Sequence, residues 1–321
     1  MPAREDLERV MEGMQDARVR VTLTLHPGPG ETPFSKHLIE TARSYGQAAG
    51  GTMEIVQGEP SDEPLVTICA TDRCTIRYHA VPEGPEAAPF VQALIELSRG
   101  GGAPGGVEAQ IVVFIAPACP HCPRAVSSAI EVALANSAVT VSVVDAQQFP
   151  ELAERHAVRS VPLTLIDGEL RLTGVVEAGE LAEQLLERES GGYEARVLRS
   201  LLEGGLIEEA ARKILTHEGS AAFVSEWAAS TTSSRMGLML AAAEAMTLDA
   251  TTLDGRVEAL SRQLGSDDAA LRGDTADMLG QIGHPSAEPR LLPLLEDSNP
   301  DVAEIAAEAI ELVRARGRLV H

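Results

Sequence analysis

Two kinds of apolar spacing alternate along the first hundred residues. Val21, Leu23 and Leu25 alternate with polar neighbours, which is typical of a half-buried strand, whereas apolar residues three or four apart indicate amphipathic helices. These patterns predict helices over 1–18 (with Leu7, Val10, Met11 and Met14 on one face), 33–45 and 86–98, and strands over 19–25, 52–56, 65–69 and 74–79.

A second segment repeats this order after a linker. Arg99 to Gly106 is rich in glycine, a composition typical of flexible connections. The elements predicted beyond it are strands over 111–115, 140–144, 163–166 and 170–173, and helices over 123–135, 150–156 and 178–188. Hence the pattern predicts two α/β segments of similar design.

The similarity extends to the residues themselves. A shift of 90 positions places 21–25 on 111–115 and Pro33 on Pro123, and a slightly larger shift places Pro64 on Pro162. A repeat of this length indicates two copies of one fold. We call them the first copy and the second copy.

From about Gly191 the chain has helical periodicity throughout and no strand runs. A shift of 31 aligns two helical hairpins, and the apolar positions that define the second are Leu291, Leu292, Leu295, Val302, Ala306, Ala307 and Ile310. This spacing resembles HEAT repeats, which stack into solenoids and commonly bind proteins. Trp227 is predicted to lie in the core of this segment.

The composition of the chain argues against several classes of function. The chain has 321 residues and a net charge of −22, so it repels nucleic acid and anionic membrane surfaces. Its longest apolar run of about eight residues is too short to cross a bilayer. Residues 1–20 lack the apolar core of a secretory signal, so we expect a cytoplasmic protein without nucleic-acid or membrane partners.

The candidate reactive residues lie in the segment Cys119-Pro120-His121-Cys122. This segment follows a predicted strand and begins a predicted helix. The N-terminal end of a helix stabilises an anion, here a thiolate. The alternative is a structural or metal-binding pair. A zinc site needs about four ligands, and the sequence offers no second C-x-x-C and no clear histidine pair. A redox dithiol is therefore the favoured interpretation, and soft-metal trafficking is the weaker one.

With Asp145 at a strand end and Ser160-Val161-Pro162 before the next strand, the dithiol resembles the motif set of the thioredoxin fold. The tandem arrangement resembles protein disulfide oxidoreductases of archaea and bacteria, and also the N-terminal redox domain of the flavoprotein that reduces alkyl hydroperoxide peroxidases. In the latter group the first unit has also lost its cysteines, and here Pro29 and Thr32 occupy the twin positions.

The resemblance implies roles for the motif residues. Cys119 is expected to be the exposed nucleophile, Cys122 to resolve the mixed disulfide, and His121 to lower the pKa of Cys119 when it is protonated. Pro120 is expected to keep the loop tight. Pro162 is expected to be cis, with the backbone of Val161 facing the dithiol and pairing with an extended substrate.

Two positions depart from ordinary thioredoxins. Ala118 stands where they carry tryptophan, and Val113 where they bury a carboxylate. The second departure argues against a plain thioredoxin-type proton relay. The Pro-His pair resembles that of periplasmic disulfide-forming oxidants, which implies a less reducing couple.

Cys69 and Cys74 flank a predicted turn between two strands. Directly opposed residues in a hairpin are close enough for a disulfide. Two reduced cysteines are nevertheless the favoured interpretation, and a second redox pair that exchanges with Cys119 and Cys122 is the alternative.

Together these patterns predict an α/β protein with two tandem thioredoxin-fold units, followed by an all-α HEAT-like domain. The expected boundaries are 1–100 for the unit without active-position cysteines, 107–190 for the active unit and 191–321 for the helical domain. The expected function is thiol–disulfide exchange on protein clients through Cys119 and Cys122, with the helical domain docking a partner. The alternative is a non-enzymatic redox sensor or adaptor. No flavin or nicotinamide domain is visible, so no cofactor is expected and electrons pass to or from another protein.

Overall fold

The computed structural model describes residues 1–70, 73–100, 106–189 and 192–319. The chain divides into two compact units, Met1–Glu187 and Arg188–His321, which we call the sheet unit and the helical unit. Both predicted copies lie within the sheet unit, because they share one sheet. The domain boundaries expected from the sequence stay a prediction, and most of the predicted linker lies outside the described residues.

The sheet unit follows the predicted order of elements. Its strands are β1 Val21–His26, β2 Met53–Gln57, β3 Leu65–Ala70, β4 Arg73–His79, β5 Ala109–Ile115, β6 Val139–Asp145, β7 Leu163–Ile166 and β8 Leu170–Thr173. Its helices are α1 Arg4–Gly13, α2 Pro33–Ala48, α3 Ala87–Ser98, α4 Cys122–Ala135, α5 Pro150–Arg155 and α6 Ala178–Leu186. Short 3-10 turns are Met14–Asp16, Gly50–Thr52, Gly84–Glu86 and Glu187–Glu189.

The eight strands form one sheet in the order β2-β1-β3-β4-β6-β5-β7-β8. Each copy contributes four strands in the same internal arrangement: a parallel pair (β1 with β2, β5 with β6) followed by two antiparallel neighbours. The copies join where β4 pairs in parallel with β6. This arrangement confirms the tandem α/β repeat predicted from the sequence.

The strand directions bring the important loops together. β1 runs opposite to β3 and β3 opposite to β4, while β4, β5 and β6 are parallel. Hence β1, β4, β5 and β6 all end at the same edge of the sheet, which we call the redox edge. β3 ends and β4 begins at the opposite edge.

Helices cover the sheet with apolar faces. Tyr45 of α2, Phe90 of α3 and Tyr78 of β4 are fully buried, and the ring centroid of Phe90 lies 5.2 Å from that of Tyr45 and 4.9 Å from that of Tyr78. Each such ring stabilises the fold by about 1.5–3 kcal/mol through burial. In α1 the prediction is only partly right, since Val10 is buried whereas Met11 is 55% exposed.

The helical unit contains α7 Tyr193–Glu203, α8 Ile207–Ile214, α9 His217–Ala229, α10 Thr232–Leu248, α11 Val257–Ser261, α12 Ala269–Ile282, α13 Glu288–Leu291 and α14 Pro300–Leu319. Its 3-10 turns are Asp254–Arg256, Arg262–Gly265, Pro285–Ala287 and Leu292–Glu296. The starts of α11 and α13 are 31 residues apart, as are those of α12 and α14. The predicted repeat is therefore present in the structure, and α12 packs against α14.

Polar contacts inside the helical core are specific. Trp227 is fully buried, as predicted, and its Nε1 donates a hydrogen bond of 2.9 Å to Oγ1 of Thr275. Arg235 is 1% exposed, and its Nε lies 2.7 Å from Oδ2 of Asp274. Of the helices in the described ranges, none combines the length with the apolar character that a bilayer crossing requires.

Candidate active site

The two cysteines lie where β5 ends at the redox edge and α4 begins. The backbone N–H of Cys119 donates a hydrogen bond of 3.0 Å to the carbonyl of Ala116, which closes a turn after the strand. A disulfide joins Cys119 to Cys122 across a Cα–Cα distance of 5.5 Å. Cys122 is fully buried while Cys119 is half-buried, so Cys119 is the more accessible of the two residues.

The start of α4 provides electrostatic support for one sulfur in particular. The N–H of Cys122 donates to Cys119 Sγ at 3.1 Å. This N–H belongs to the first turn of the helix, where backbone donors lack partners inside the helix and the helix dipole favours negative charge. After reduction, the same contact favours the thiolate form of Cys119.

Val161 and Pro162 meet the dithiol from the loop before β7. Their peptide bond is cis, and the carbonyl oxygen of Val161 lies 3.8 Å from Cys119 Sγ. Val161 packs on a buried cluster that includes Phe114 and Leu163, which holds the loop against β5 and β7. The structure thus brings together the two motifs that the sequence placed about 40 residues apart.

Pro120 and His121 form the exposed part of the turn. His121 is the residue immediately before α4, and its side chain makes no capping hydrogen bond to the helix. Its ring is therefore not held by the helix terminus.

Asp145 ends β6 at the same edge. The residue is 5% exposed, and its Oδ1 accepts a hydrogen bond of 2.9 Å from the N–H of Gln147. Burial raises the pKa of Asp145. Val113, which stands where ordinary thioredoxins bury an acid, is a fully buried residue of β5.

A second buried carboxylate, Glu86, was missed from the sequence. It ends the 3-10 turn before α3, is 4% exposed, and has no hydrogen-bond partner on either carboxylate oxygen. Burial and, secondarily, the charge of Asp145 raise the pKa of Glu86 to about 7. A signal was available, because Glu86 lies four residues before Phe90 and so on the apolar face of the predicted helix.

Cys69 and Cys74 require a correction. The register of β3 and β4 places them directly opposite each other, and a disulfide joins them across a Cα–Cα distance of 4.0 Å. The favoured expectation of two reduced cysteines is therefore wrong for this structure. Cys74 is five residues before His79, the last residue of β4, or roughly 17 Å from the redox edge. Direct exchange with Cys119 inside one molecule is thus excluded.

Within the described residues, no three His, Cys, Asp or Glu side chains are grouped so that they could hold a metal ion.

Comparisons with known proteins agree with this geometry. A family model described as a thioredoxin domain matches residues 109–187, and one described as HEAT repeats matches residues 257–317. A thioredoxin from Methanocaldococcus jannaschii is 31% identical over 80 residues, which cover 25% of this chain and 94% of that relative. A probable thioredoxin from Archaeoglobus fulgidus is 30% identical over 83 residues, covering 26% and 90% respectively.

A solved structure matches both copies. The NTD_N/C domain of the alkylhydroperoxide reductase AhpF from Enterococcus faecalis superposes with a TM-score of 0.51 at 21% identity. The match covers 58% of this chain and all of that domain. At this identity the comparison shows the fold alone, and the fold is the tandem arrangement expected from the sequence.

Proposed function

Because the chain belongs to the thioredoxin family and is a thiol–disulfide oxidoreductase, we propose that it acts on protein clients through Cys119 and Cys122. The observation that carries this proposal is that the two cysteines differ in burial and in hydrogen bonding. Cys119 is half-buried and accepts an N–H at the start of α4, whereas Cys122 is fully buried behind it. One sulfur is placed to meet a client and the other to release it.

The exchange proceeds in two balanced steps. In the reduced enzyme, the Cys119 thiolate attacks one sulfur of a client disulfide, a bond forms between them, and the other client sulfur leaves as a thiolate. Cys122, after losing its proton, then attacks Cys119 and expels the first client sulfur. The two electrons that reduce the client come from the dithiol, which ends as the disulfide seen in the structure.

Val161 supplies the substrate-facing wall in this proposal. Its carbonyl oxygen lies 3.8 Å from Cys119 Sγ, beside the point where a client backbone would pass. An extended client segment gains backbone hydrogen bonds at such a position, in the manner of an added strand. Pro162 contributes no N–H to compete for these bonds.

Turnover of insulin disulfides by dithiothreitol tests the enzymatic function. The wild type should catalyse many turnovers, Cys119→Ser should abolish them, and Cys74→Ser should serve as the matched control because it removes a cysteine at the opposite edge. Equal rates for Cys119→Ser and the wild type would contradict the proposal. A single stoichiometric exchange would favour the redox sensor or adaptor instead.

The helical unit is proposed to dock protein clients, as HEAT repeats commonly do. Met236 and Leu240, 62% and 53% exposed, lie one helical turn apart on α10 and present an apolar surface. Cys122→Ser should trap clients as mixed disulfides, and adding Met236→Glu and Leu240→Glu should lower the yield. Reaction with a small disulfide should not change. An undiminished yield of trapped clients would contradict docking at this surface.

A cytoplasmic location also belongs to the proposal. Neither disulfide links distant parts of the chain, since their sequence separations are 5 and 3. The fold therefore has no disulfide framework of the kind that requires an oxidising compartment. Cell fractionation tests this location directly.

A further inference from the structure

A cavity of about 420 Å³ opens at the redox edge, between the two copies. We call it the seam pocket. Its walls come from the start of α2, the loop after β4, the end of β5 with the turn that follows it, and the end of β6 with the loop beyond it. Pro117, two residues before Cys119, is one of the lining residues, so the seam pocket lies beside the redox turn.

The lining of the pocket combines apolar residues with acidic ones. Phe34, Val81 and Ile115 contribute apolar surface, while Glu86 and Asp145 contribute buried carboxylates. Among the described residues that line the pocket, none is lysine or arginine. This combination suits a ligand with an apolar stem and a positively charged end.

Glu86 is the lining residue that points to a ligand. It is 4% exposed, yet neither of its carboxylate oxygens has a hydrogen-bond partner. Buried polar groups are almost always paired, and leaving one unpaired costs about 1–3 kcal/mol or more. An incoming donor would remove that cost, and a cation would also favour the ionised form of a group whose pKa is raised to about 7.

The other two acidic residues of the pocket, Glu83 and Asp145, already accept hydrogen bonds, so Glu86 is the carboxylate available to a ligand. Glu83 at the pocket already pairs with Nε2 of His37 at 3.0 Å, with Oγ1 of Thr41 at 2.8 Å and with the amino group of Met1. Asp145 accepts backbone N–H bonds on one carboxylate oxygen. A metal ion is not favoured, because no three ligating side chains group together in the described parts of the chain.

We propose that the seam pocket is a specificity pocket that takes a lysine or arginine side chain of a protein client, with Glu86 as its carboxylate anchor. This inference rests on the proposed function. It names the substrate class as protein disulfides with a basic residue near the reacting cysteine.

The proposal also gives the cysteine-free first copy a role. Pro33, at the first turn of α2, corresponds to Pro123 of the second copy under the 90-residue shift, and both Pro33 and Phe34 line the pocket. In the first copy, the region equivalent to the redox turn lacks cysteines and forms a wall of the pocket beside the Cys119–Cys122 dithiol. In this proposal the first copy selects the client, and the second copy reacts with the client.

Peptide probes test the pocket on the full-length reduced protein. Each peptide carries one cysteine in a disulfide with 5-thio-2-nitrobenzoate, and a lysine or an uncharged norleucine is placed at each flanking position in turn. Cys119 attacks the peptide sulfur, the enzyme–peptide disulfide forms, and the coloured thionitrobenzoate leaves as a thiolate. Arginine and citrulline form a second charged and uncharged pair.

At the position that reaches the pocket, the basic peptide should react roughly tenfold faster than its neutral partner, the lower limit for a hydrogen bond to a charged group. Glu86→Gln should bring this ratio close to one. Glu180→Gln, which neutralises an exposed carboxylate on α6, should keep it. Circular dichroism verifies that both variants are folded.

Equal rates for basic and neutral peptides at every position of the wild type would overturn the inference, without recourse to any variant. The failure of the proposed function would look different, because then no peptide would react faster with the wild type than with Cys119→Ser. A preference for basic peptides that persists in Glu86→Gln would overturn the assignment of the anchor.

Discussion

The backbone N–H of Cys122 donates a hydrogen bond of 3.1 Å to the sulfur of Cys119. The donor is part of the first turn of α4, and the acceptor is the more accessible of the two sulfurs. This contact supports the proposed role of Cys119 as the nucleophile, because the positive end of the helix dipole favours a thiolate at the same atom.

His121 should add to that stabilisation. It is exposed beside the dithiol, so replacing it with alanine should raise the pKa of Cys119 and slow alkylation at a pH below that pKa. We expect a decrease of up to about fivefold, corresponding to the roughly 0.2–1 kcal/mol typical of an exposed pair of opposite charges. The rate of iodoacetamide labelling measures it.

His121→Lys is the matched control, since it keeps a positive charge at the same position. It should preserve fast labelling. Equal labelling rates for the alanine variant and the wild type would show that the charge of His121 has no influence.

Glu86 should make the stability of the sheet unit depend on pH. Its pKa is raised from 4.5 to about 7, so the native protein holds a proton that the unfolded chain releases over this range. Stability should therefore be highest below about pH 5 and should fall by about 3 kcal/mol as the pH rises to about 8. Glu86→Gln should remove that loss.

Urea unfolding at the two pH values measures this difference, with circular dichroism as the signal. Fluorescence of Trp227, the single tryptophan, reports on the helical unit in parallel. Glu180→Gln serves as control and should retain the wild-type slope. A pH profile of Glu86→Gln that parallels that of the wild type would contradict the assignment.

The Cys69–Cys74 disulfide should stabilise the β3–β4 hairpin without taking part in turnover. A disulfide that closes so short a loop restricts the unfolded chain by about 2 kcal/mol. The double variant Cys69→Ala/Cys74→Ala should lose about that free energy of unfolding and keep its insulin-reducing activity. Alkylation of the native protein before digestion, followed by mass spectrometry, should find neither cysteine alkylated. Two alkylated cysteines would mean that the pair is reduced in solution.

Arg235 should be among the most sensitive positions of the helical unit. Asp274→Asn removes the closer of the two carboxylates that pair with this buried guanidinium, the other being Asp268 at 3.5 Å. Removing a partner from a buried ion pair typically costs 3–5 kcal/mol, and because Asp268 remains we expect about 3 kcal/mol. The change should appear as an earlier unfolding transition in Trp227 fluorescence. Glu258→Gln breaks an exposed pair with Arg290 instead and should cost no more than about 1 kcal/mol. Similar costs for the two variants would contradict this difference.

Much of the sheet unit could be predicted from local patterns. Alternating apolar residues predict Val21–His26, a continuous apolar run predicts Ala109–Ile115, and the shift of 90 residues identifies them as equivalent strands. The dithiol and the Val161–Pro162 loop could be paired because the resemblance to one fold specifies how they meet. Only the structure shows that the copies join through β4 and β6, since pairing between distant strands depends on tertiary packing.

The features that the sequence did not predict correctly have particular physical causes. Leu292 and Leu295 are among the apolar positions that define the last hairpin in the sequence, but they are 45% and 43% exposed, whereas Leu294 is buried. The segment Leu292–Glu296 is a 3-10 helix, whose tighter turn places the third residue after Leu291, not the fourth, on the same face. Glu86 was missed because a charged residue is normally expected to be exposed.

The identity of the cysteine that forms the mixed disulfide tests the central claim most directly. Full-length Cys122→Ser, reduced and then mixed with an oxidised protein client, should accumulate a disulfide that mass spectrometry locates at Cys119. Cys119→Ser should accumulate none under the same conditions, because Cys122 is buried. A client attached to Cys122, or to Cys69 or Cys74 in either variant, would contradict the account.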